Sequence, residues 1–190
     1  YNNGVSKYAL RKIPYVPRVI DVTAGIGIPY SEYAVFNTDV TLLERAEAYA
    51  LSGKYAEALK DINTELTAFS KKKVQLTLDQ IKDFYNSQAY YTPTKPTPRK
   101  ALNPLFAIEK TTQEPLLQCL LQLRRILTIH EGFRLQDVKR YGITMYRRQV
   151  DVQSKVNAVT DSMKVGDPRL AIQLPQDVIS AGITPNPRNK

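Results

Sequence analysis

The chain has 190 residues, 43% hydrophobic and 24% charged, with 27 basic against 18 acidic side chains and a formal net charge of +9. These are ordinary values for one globular domain with a real core, and no apolar run approaches the roughly 20 residues of a membrane-spanning helix. One cysteine, Cys119, sits in the apolar run LLQCLLQL, which excludes an internal disulfide and favours a small buried hydrophobe, since CxxC and Cys/His metal spacings are absent.

The positive balance can draw nucleic acid, anionic lipid or an acidic ligand. The densest clusters, Lys71 to Lys73 and Arg147–Arg148, are short and lie in no nucleic-acid motif, so they read as solvated surface and no nucleic-acid partner is expected. The opening YNNGVSKYAL carries neither Met nor a signal-like apolar run, as expected of a processed chain, a trimmed one or a piece of a longer one.

Residues 1–36 read as irregular with strand-like pieces. Segment 15–22 is rich in β-branched residues but broken by Pro17, and 23–33 (TAGIGIPYSEY) has the glycines and proline of a turn-rich loop. GIGIP is no phosphate-binding loop, because no GK[ST] follows it.

The first helix is expected over 38–52. Asn37 or Thr38 can cap it, Asp39 suits the positive end of its dipole, and Leu42, Leu43, Ala46 and Ala50 share a face. Gly53 can end it in the left-handed conformation. A second helix over 54–70 carries Tyr55, Ala58, Leu59, Ile62, Leu66 and Phe69 as one apolar stripe. So short a connection predicts a helical hairpin. A lone hairpin cannot bury its outer face, so further helical units are expected, here or on adjoining sequence.

A third helix starts at the capping box Thr77–Gln80 and carries Leu78, Ile81, Phe84 and Tyr85. The loop over about 86–104 holds prolines 93, 96, 98 and 104, which bar regular structure. A buried helix over about 114–132 begins with Pro115 in its first turn and is apolar around most of its circumference through Leu127. A helical turn over 134–141, a strand over 143–150 and a short helix near 175–180 complete the reading. The fold class is mostly α, a tetratricopeptide-like helical hairpin scaffold with irregular proline-rich loops.

Three stretches in order resemble the SusD/RagB family of outer-membrane nutrient-uptake proteins. They are LLERAEAYALSGKYAEALKDIN (42–63), IHEGFRLQDVKRYGI (129–143) and DPRLAIQLPQDVISAGITPNPR (167–188). The second departs from the family's usual pattern at Leu135 and Gln136, where aromatic residues commonly follow the arginine. The resemblance implies that residues 1–190 form the C-terminal portion of a SusD-like domain. It implies a non-enzymatic, lipid-anchored protein at the outer-membrane cell surface, with signal peptide and lipidated cysteine on the part upstream. Such a protein captures an oligosaccharide or peptide and delivers it to a SusC-like TonB-dependent transporter, with no cofactor. A tetratricopeptide-type adaptor binding peptide tails is the alternative; it would call for a tandem array of about 34-residue repeats, and only one hairpin is legible.

Tyrosine is abundant, with 12 copies, and tryptophan absent. Sugars stack their apolar ring faces on aromatic side chains, which makes Tyr90 and Tyr91 in the proline-rich loop the first candidate ligand contacts, followed by Tyr30 and Tyr33. No catalytic pair or metal set presents itself. His130, the one histidine, has no nucleophile beside it in sequence and reads as a helix-end residue. No carboxylate pair stands out as a glycosidase dyad. Around it, Glu131, Arg134, Asp137, Lys139 and Arg140 read as a mainly structural charged group in which Arg134 and Asp137 can pair. Arg45 and Glu47 should pair with adjacent helices.

Overall fold

The computed structural model describes residues 15–31, 36–129 and 131–187. Among these are six α-helices and two separate two-stranded antiparallel sheets. The molecule is helix-dominated, as the periodicity predicts.

Helix α1 (Thr38–Leu51) is capped by Asn37, whose side chain accepts from the Val40 amide, and Asp39 lies in its first turn. It ends at Ser52 and Gly53, the latter at φ +76°. Helix α2 (Tyr55–Phe69) folds back from there. Arg45 near the middle of α1 makes a two-pronged contact with Asp61 near the middle of α2, both bonds at 2.8 Å, as a hairpin folded at Gly53 requires. Leu43, Ala46, Ala50, Ala58 and Ile62 are completely buried between the helices and their neighbours. The predicted stripe is used as far as Leu66; Phe69, in the last turn of α2, is exposed.

Helix α3 (Leu78–Ser87) opens with the predicted capping box, Thr77 and Gln80 each bonding the other's backbone. Before it, Asn63 of α2 imitates a peptide partner, donating to the Leu76 carbonyl and accepting from the Leu76 amide, both at 2.8 Å.

Helix α4 (Gln113–Leu127) packs against α1, α2 and α3 and so covers the apolar face of the hairpin. Every residue from Gln113 to Leu121 is buried. Full burial of Leu116, Leu117 and Leu120 contributes about 1.5–3 kcal/mol apiece. From Gln122 onward burial becomes one-sided, and Ile126, expected in the core, is exposed. The helix also stops earlier than predicted. Thr128 caps it by bonding back to the Arg124 carbonyl with both its amide and its hydroxyl, each at 2.8 Å, and Gly132 at φ +83° turns the chain. Helix α5 (Arg134–Arg140) follows.

The segment from Gln88 to Thr112 contains no helix or strand, longer than the 86–104 expected. It is nevertheless pinned. The Tyr91 amide donates to the Arg99 carbonyl at 2.8 Å. Buried Gln118 of α4 brackets Lys100, accepting from its amide at 3.0 Å and donating to its carbonyl at 2.5 Å. The Asn103 amide donates to the Tyr141 carbonyl at 2.8 Å. Glu109 prepares α4 by accepting from the amides of Thr111, Thr112 and Gln113. Hydrogen bonds from Thr111 and from those backbone amides hold its carboxyl at about 2.

Two sheet elements differ from the sequence reading. Strands β1 (Tyr15–Asp21) and β2 (Ile26–Ser31) form a hairpin in which Pro17 lies opposite Pro29. Both strands of a two-stranded ribbon are edges, where a missing N–H is tolerated, so Pro17 does not break the strand. The turn is confined to 22–25, where Asp21 accepts from the Thr23 and Ala24 amides. At the other end, β3 (Met145–Val150) pairs with an unanticipated β4 (Val156–Met163). Asp151 organises their connection by accepting from the Gln153 and Lys155 amides, and Ser154 takes φ +64°. A single 3-10 turn (Pro168–Leu170) and α6 (Gln176–Ser180) close the described chain.

Candidate functional site

Two polar centres lie on opposite accounts of charge. The first is a closed network around Arg124, buried at 7% exposure. Its Nη1 donates to Asp137 Oδ1 at 2.7 Å and its Nη2 to Glu47 Oε2. The other Glu47 oxygen accepts from Arg140 Nε at 2.8 Å and from the Tyr141 hydroxyl at 2.6 Å. Burial pushes the Glu47 carboxyl up, but Arg124, Tyr141 and Arg140 outweigh it and hold the carboxyl below its ordinary range. Burial dominates at Asp137 and lifts its carboxyl despite Arg124 and Arg134. A hollow of about 330 Å³ lies over this network. Glu47, Arg124, Asp137 and Arg140 pair with one another, leaving Arg124 Nε and Asp137 Oδ2 buried without a hydrogen bond among the described residues, and the network joins α1, α4 and α5.

The second centre is a cleft of about 750 Å³, within the size range of small-ligand sites. One wall is the proline-rich loop with Tyr91, Pro98 and Lys100; α3 adds Tyr85, α4 Arg125 and α5 Arg134. The facing wall is β3, where Tyr146 and Arg148 stand two residues apart and both reach the cleft.

The cleft is strongly cationic. Lys100, Arg125, Arg134 and Arg148 line it, and no carboxylate does among the described residues. Lys100 Nζ donates to the Thr97 carbonyl at 2.6 Å and sits 3.6 Å from the Tyr91 ring centre. Burial, then Arg125, Arg134 and Arg148, push its amine down to about 8. Burial also lowers Arg134, against the pull of Asp137. The nearest Asp137 oxygen is 3.8 Å from Arg134 Nη1, which is buried without a hydrogen bond among the described residues. Arg148 donates to the Pro93 carbonyl at 2.6 Å, to the Thr92 carbonyl at 2.7 Å and to the Tyr91 hydroxyl. It thereby ties β3 to the loop, but none of those partners neutralises its charge.

Of the two candidate tyrosines whose side chains are described, Tyr91 lines this cleft and Tyr90 does not. Its ring lies 5.6 Å from that of Tyr146 at an interplanar angle of 30°. The neighbouring Tyr90 is turned to α4 instead. Its hydroxyl donates to buried Glu114 at 2.7 Å, and Arg99 lies 4.3 Å from its ring centre and 3.3 Å from the same carboxylate. Tyr33 and His130 lie outside the described residues, as does the Tyr30 side chain. The charged group read as structural divides: Asp137 and Arg140 join the Arg124 network, whereas Arg134 also faces the cleft. Arg45 and Glu47 pair with neighbouring helices as expected.

Sequence reasoning missed Tyr146, Lys100 and Arg125, and took Arg148 as solvated surface. The alternation Tyr146–Arg148 in a strand was a usable signal; Lys100 and Arg125 reach the cleft only through tertiary folding. Cys119 is buried, and burial pushes its thiol up to about 12, as for an inert core residue. Among the described residues no group of three or more His, Cys, Asp or Glu is placed to hold a metal, and no helix is long and apolar enough to cross a membrane. Comparison with protein-family models, with curated proteins and with solved structures finds no match.

Proposed function

We propose that this chain is part of a non-enzymatic capture protein of the SusD/RagB type. In this reading a tetratricopeptide-like helical scaffold presents a glycan or peptide site above a SusC-like TonB-dependent transporter. A lipid anchor on sequence upstream holds it at the outer-membrane cell surface.

The observation that carries the proposal is the convergence of the motifs behind the resemblance. Glu47 comes from RAEAY, and Asp137, Arg140 and Tyr141 come from the EG-x-R-x-x-D-x-K-R-Y-G element. They are separated by some ninety positions in the chain, and all meet directly or through Arg124. Residues from two distant motifs are thus tied to one buried joint, which supports reading the two motifs as parts of one pattern. The cleft beside that joint, held on rigid helices and edged by a proline-rich loop, suits ligand capture.

The test is an array of glycans and peptides probed with the full-length protein, together with recovery of its membrane partners. Binding to one ligand class and copurification of an outer-membrane transporter support the reading. Absence of both overturns it.

A further inference from the structure

We infer that the cleft between the proline-rich loop and β3 takes an acidic saccharide, whose carboxylate or sulfate groups lie against Lys100, Arg125, Arg134 and Arg148. This rests on the glycan-capture reading above and narrows it to a ligand class.

The argument begins with the cost of the site. Taking cations out of water is unfavourable unless counter-charges or hydrogen bonds compensate. Four cations come from four different elements to one concavity, with no carboxylate in its described lining. Among the described residues Arg134 keeps a buried Nη1 without a hydrogen bond, and its ion-pair oxygen there, at 3.8 Å, belongs to a carboxylate that also serves Arg124. Arg125 is exposed and met by water; it adds charge to the lining and makes no hydrogen bond or ion pair to a described residue. An anion entering the cleft would supply what the fold withholds, and guanidinium groups are suited to planar carboxylate and to sulfate oxygens.

Tyr91 points the same way. A neutral sugar would need an open ring face. Tyr91 instead has Lys100 Nζ 3.6 Å and Arg148 Cζ 4.4 Å from its ring centre, so it supports cations more than it offers a platform. Tyr146, with Arg148 Cζ 5.3 Å from its ring centre, and Phe84 and Tyr85 of α3, in edge contact at 5.0 Å, make the rest of the aromatic lining. Thr97, Gln122 and Thr144 add neutral lining residues of the kind that pair with sugar hydroxyls.

The experiment is calorimetric titration of the full-length protein at low salt. The probes are an oligogalacturonide and a sulfated galactan oligosaccharide, each beside its carboxyl-reduced or desulfated counterpart, with a polyglutamate peptide as a further arm. The expected result is that at least one acidic saccharide binds about tenfold or more tighter than its neutral counterpart, a difference of about 1.4 kcal/mol. Its affinity should weaken with added salt. The two acidic arms separate carboxylate from sulfate as the recognised group. Because Arg148 also holds the loop, the fold-neutral variant is Arg125→Gln, expected to lower that affinity about fivefold with an unchanged circular dichroism spectrum. Equal binding of charged and neutral saccharides, with no effect of Arg125→Gln, would overturn the acidic-ligand inference and leave glycan capture standing. Failure of every saccharide and of polyglutamate to bind would overturn the acidic-ligand inference, while the capture reading stands or falls on the ligand array and the copurified transporter; binding of polyglutamate alone would replace the saccharide with an acidic peptide.

Discussion

Replacing Arg124 by Met keeps most of the side-chain volume and removes the centre of the buried network. Arg124 is 7% exposed, and its two partners, Glu47 and Asp137, are 6% and 2% exposed. The losses are unequal. Glu47 retains Arg140 and the Tyr141 hydroxyl, whereas Asp137 is left with Arg134 at 3.8 Å. Breaking a buried pair from one side costs about 3–5 kcal/mol, because a charge stays behind without its counter-charge. At this chain length that lowers Tm by roughly 6–20 °C. The partly exposed partner Arg140 provides the internal control: Arg140→Met should cost about 1 kcal/mol or less, as solvent screens it. Urea unfolding followed by circular dichroism measures both, with the m value unchanged if the native and denatured states keep their compactness. An Arg124→Met protein within about 1 kcal/mol of the parent, or no less stable than Arg140→Met, would refute the idea that Arg124 is the joint.

Other consequences follow from single positions. Gly142→Ala should be far more harmful than Gly53→Ala, although both glycines have positive φ. A Cβ at 142 would collide with the Asn103 backbone carbonyl, whereas at 53 nothing lies within 4 Å. Thermal denaturation should show a cost of about 1–2 kcal/mol at 53 and a clearly larger one at 142. Asn63→Ala removes both bonds to the Leu76 backbone and should cost about 1–3 kcal/mol in the same assay. Acidic-saccharide affinity should fall between pH 7 and pH 9 as Lys100, held at about 8, loses its proton. The groups facing it are Tyr91 on its own loop, Tyr85 on α3 (pushed up by burial), Arg125 on α4, Arg134 on α5, and Tyr146 and Arg148 on β3. The arginines stay charged throughout. A bound anion raises the Lys100 value, so titrations near pH 8 in buffers of different ionisation enthalpy should register proton uptake. Stability of the free protein has the same origin with the opposite consequence. The folded amine ionises less readily than the unfolded one, so Lys100 adds stability as pH rises from about 8 towards 10.5.

The helices were legible because their signals are local. Asn37, the Thr77–Gln80 box, Gly53 and the stripe through Ala58 and Ile62 each act within a few residues, and all four perform as their chemistry suggests. Segment 15–31 misled because proline and glycine were read as breakers, although an edge ribbon accommodates both. β4 escaped notice because its exposure does not alternate cleanly and its turn depends on the Asp151 side chain. The end of α4 was overrun because Ile126 continues the apolar pattern after burial has become one-sided. For the cleft, Tyr91 was the one lining residue named in advance as a ligand contact. Its cations come from a loop, two helices and a strand, and no spacing in the chain announces that they share one cavity.

The most direct test is nuclear magnetic resonance mapping of the isotopically labelled chain titrated with the oligogalacturonide and sulfated galactan. Saturable amide shifts concentrated at Tyr91, Lys100, Arg125, Tyr146 and Arg148 are predicted for the acidic saccharide that binds. Saturable shifts confined to other surfaces, or none with either sugar, would contradict the assignment of this cleft as the capture site.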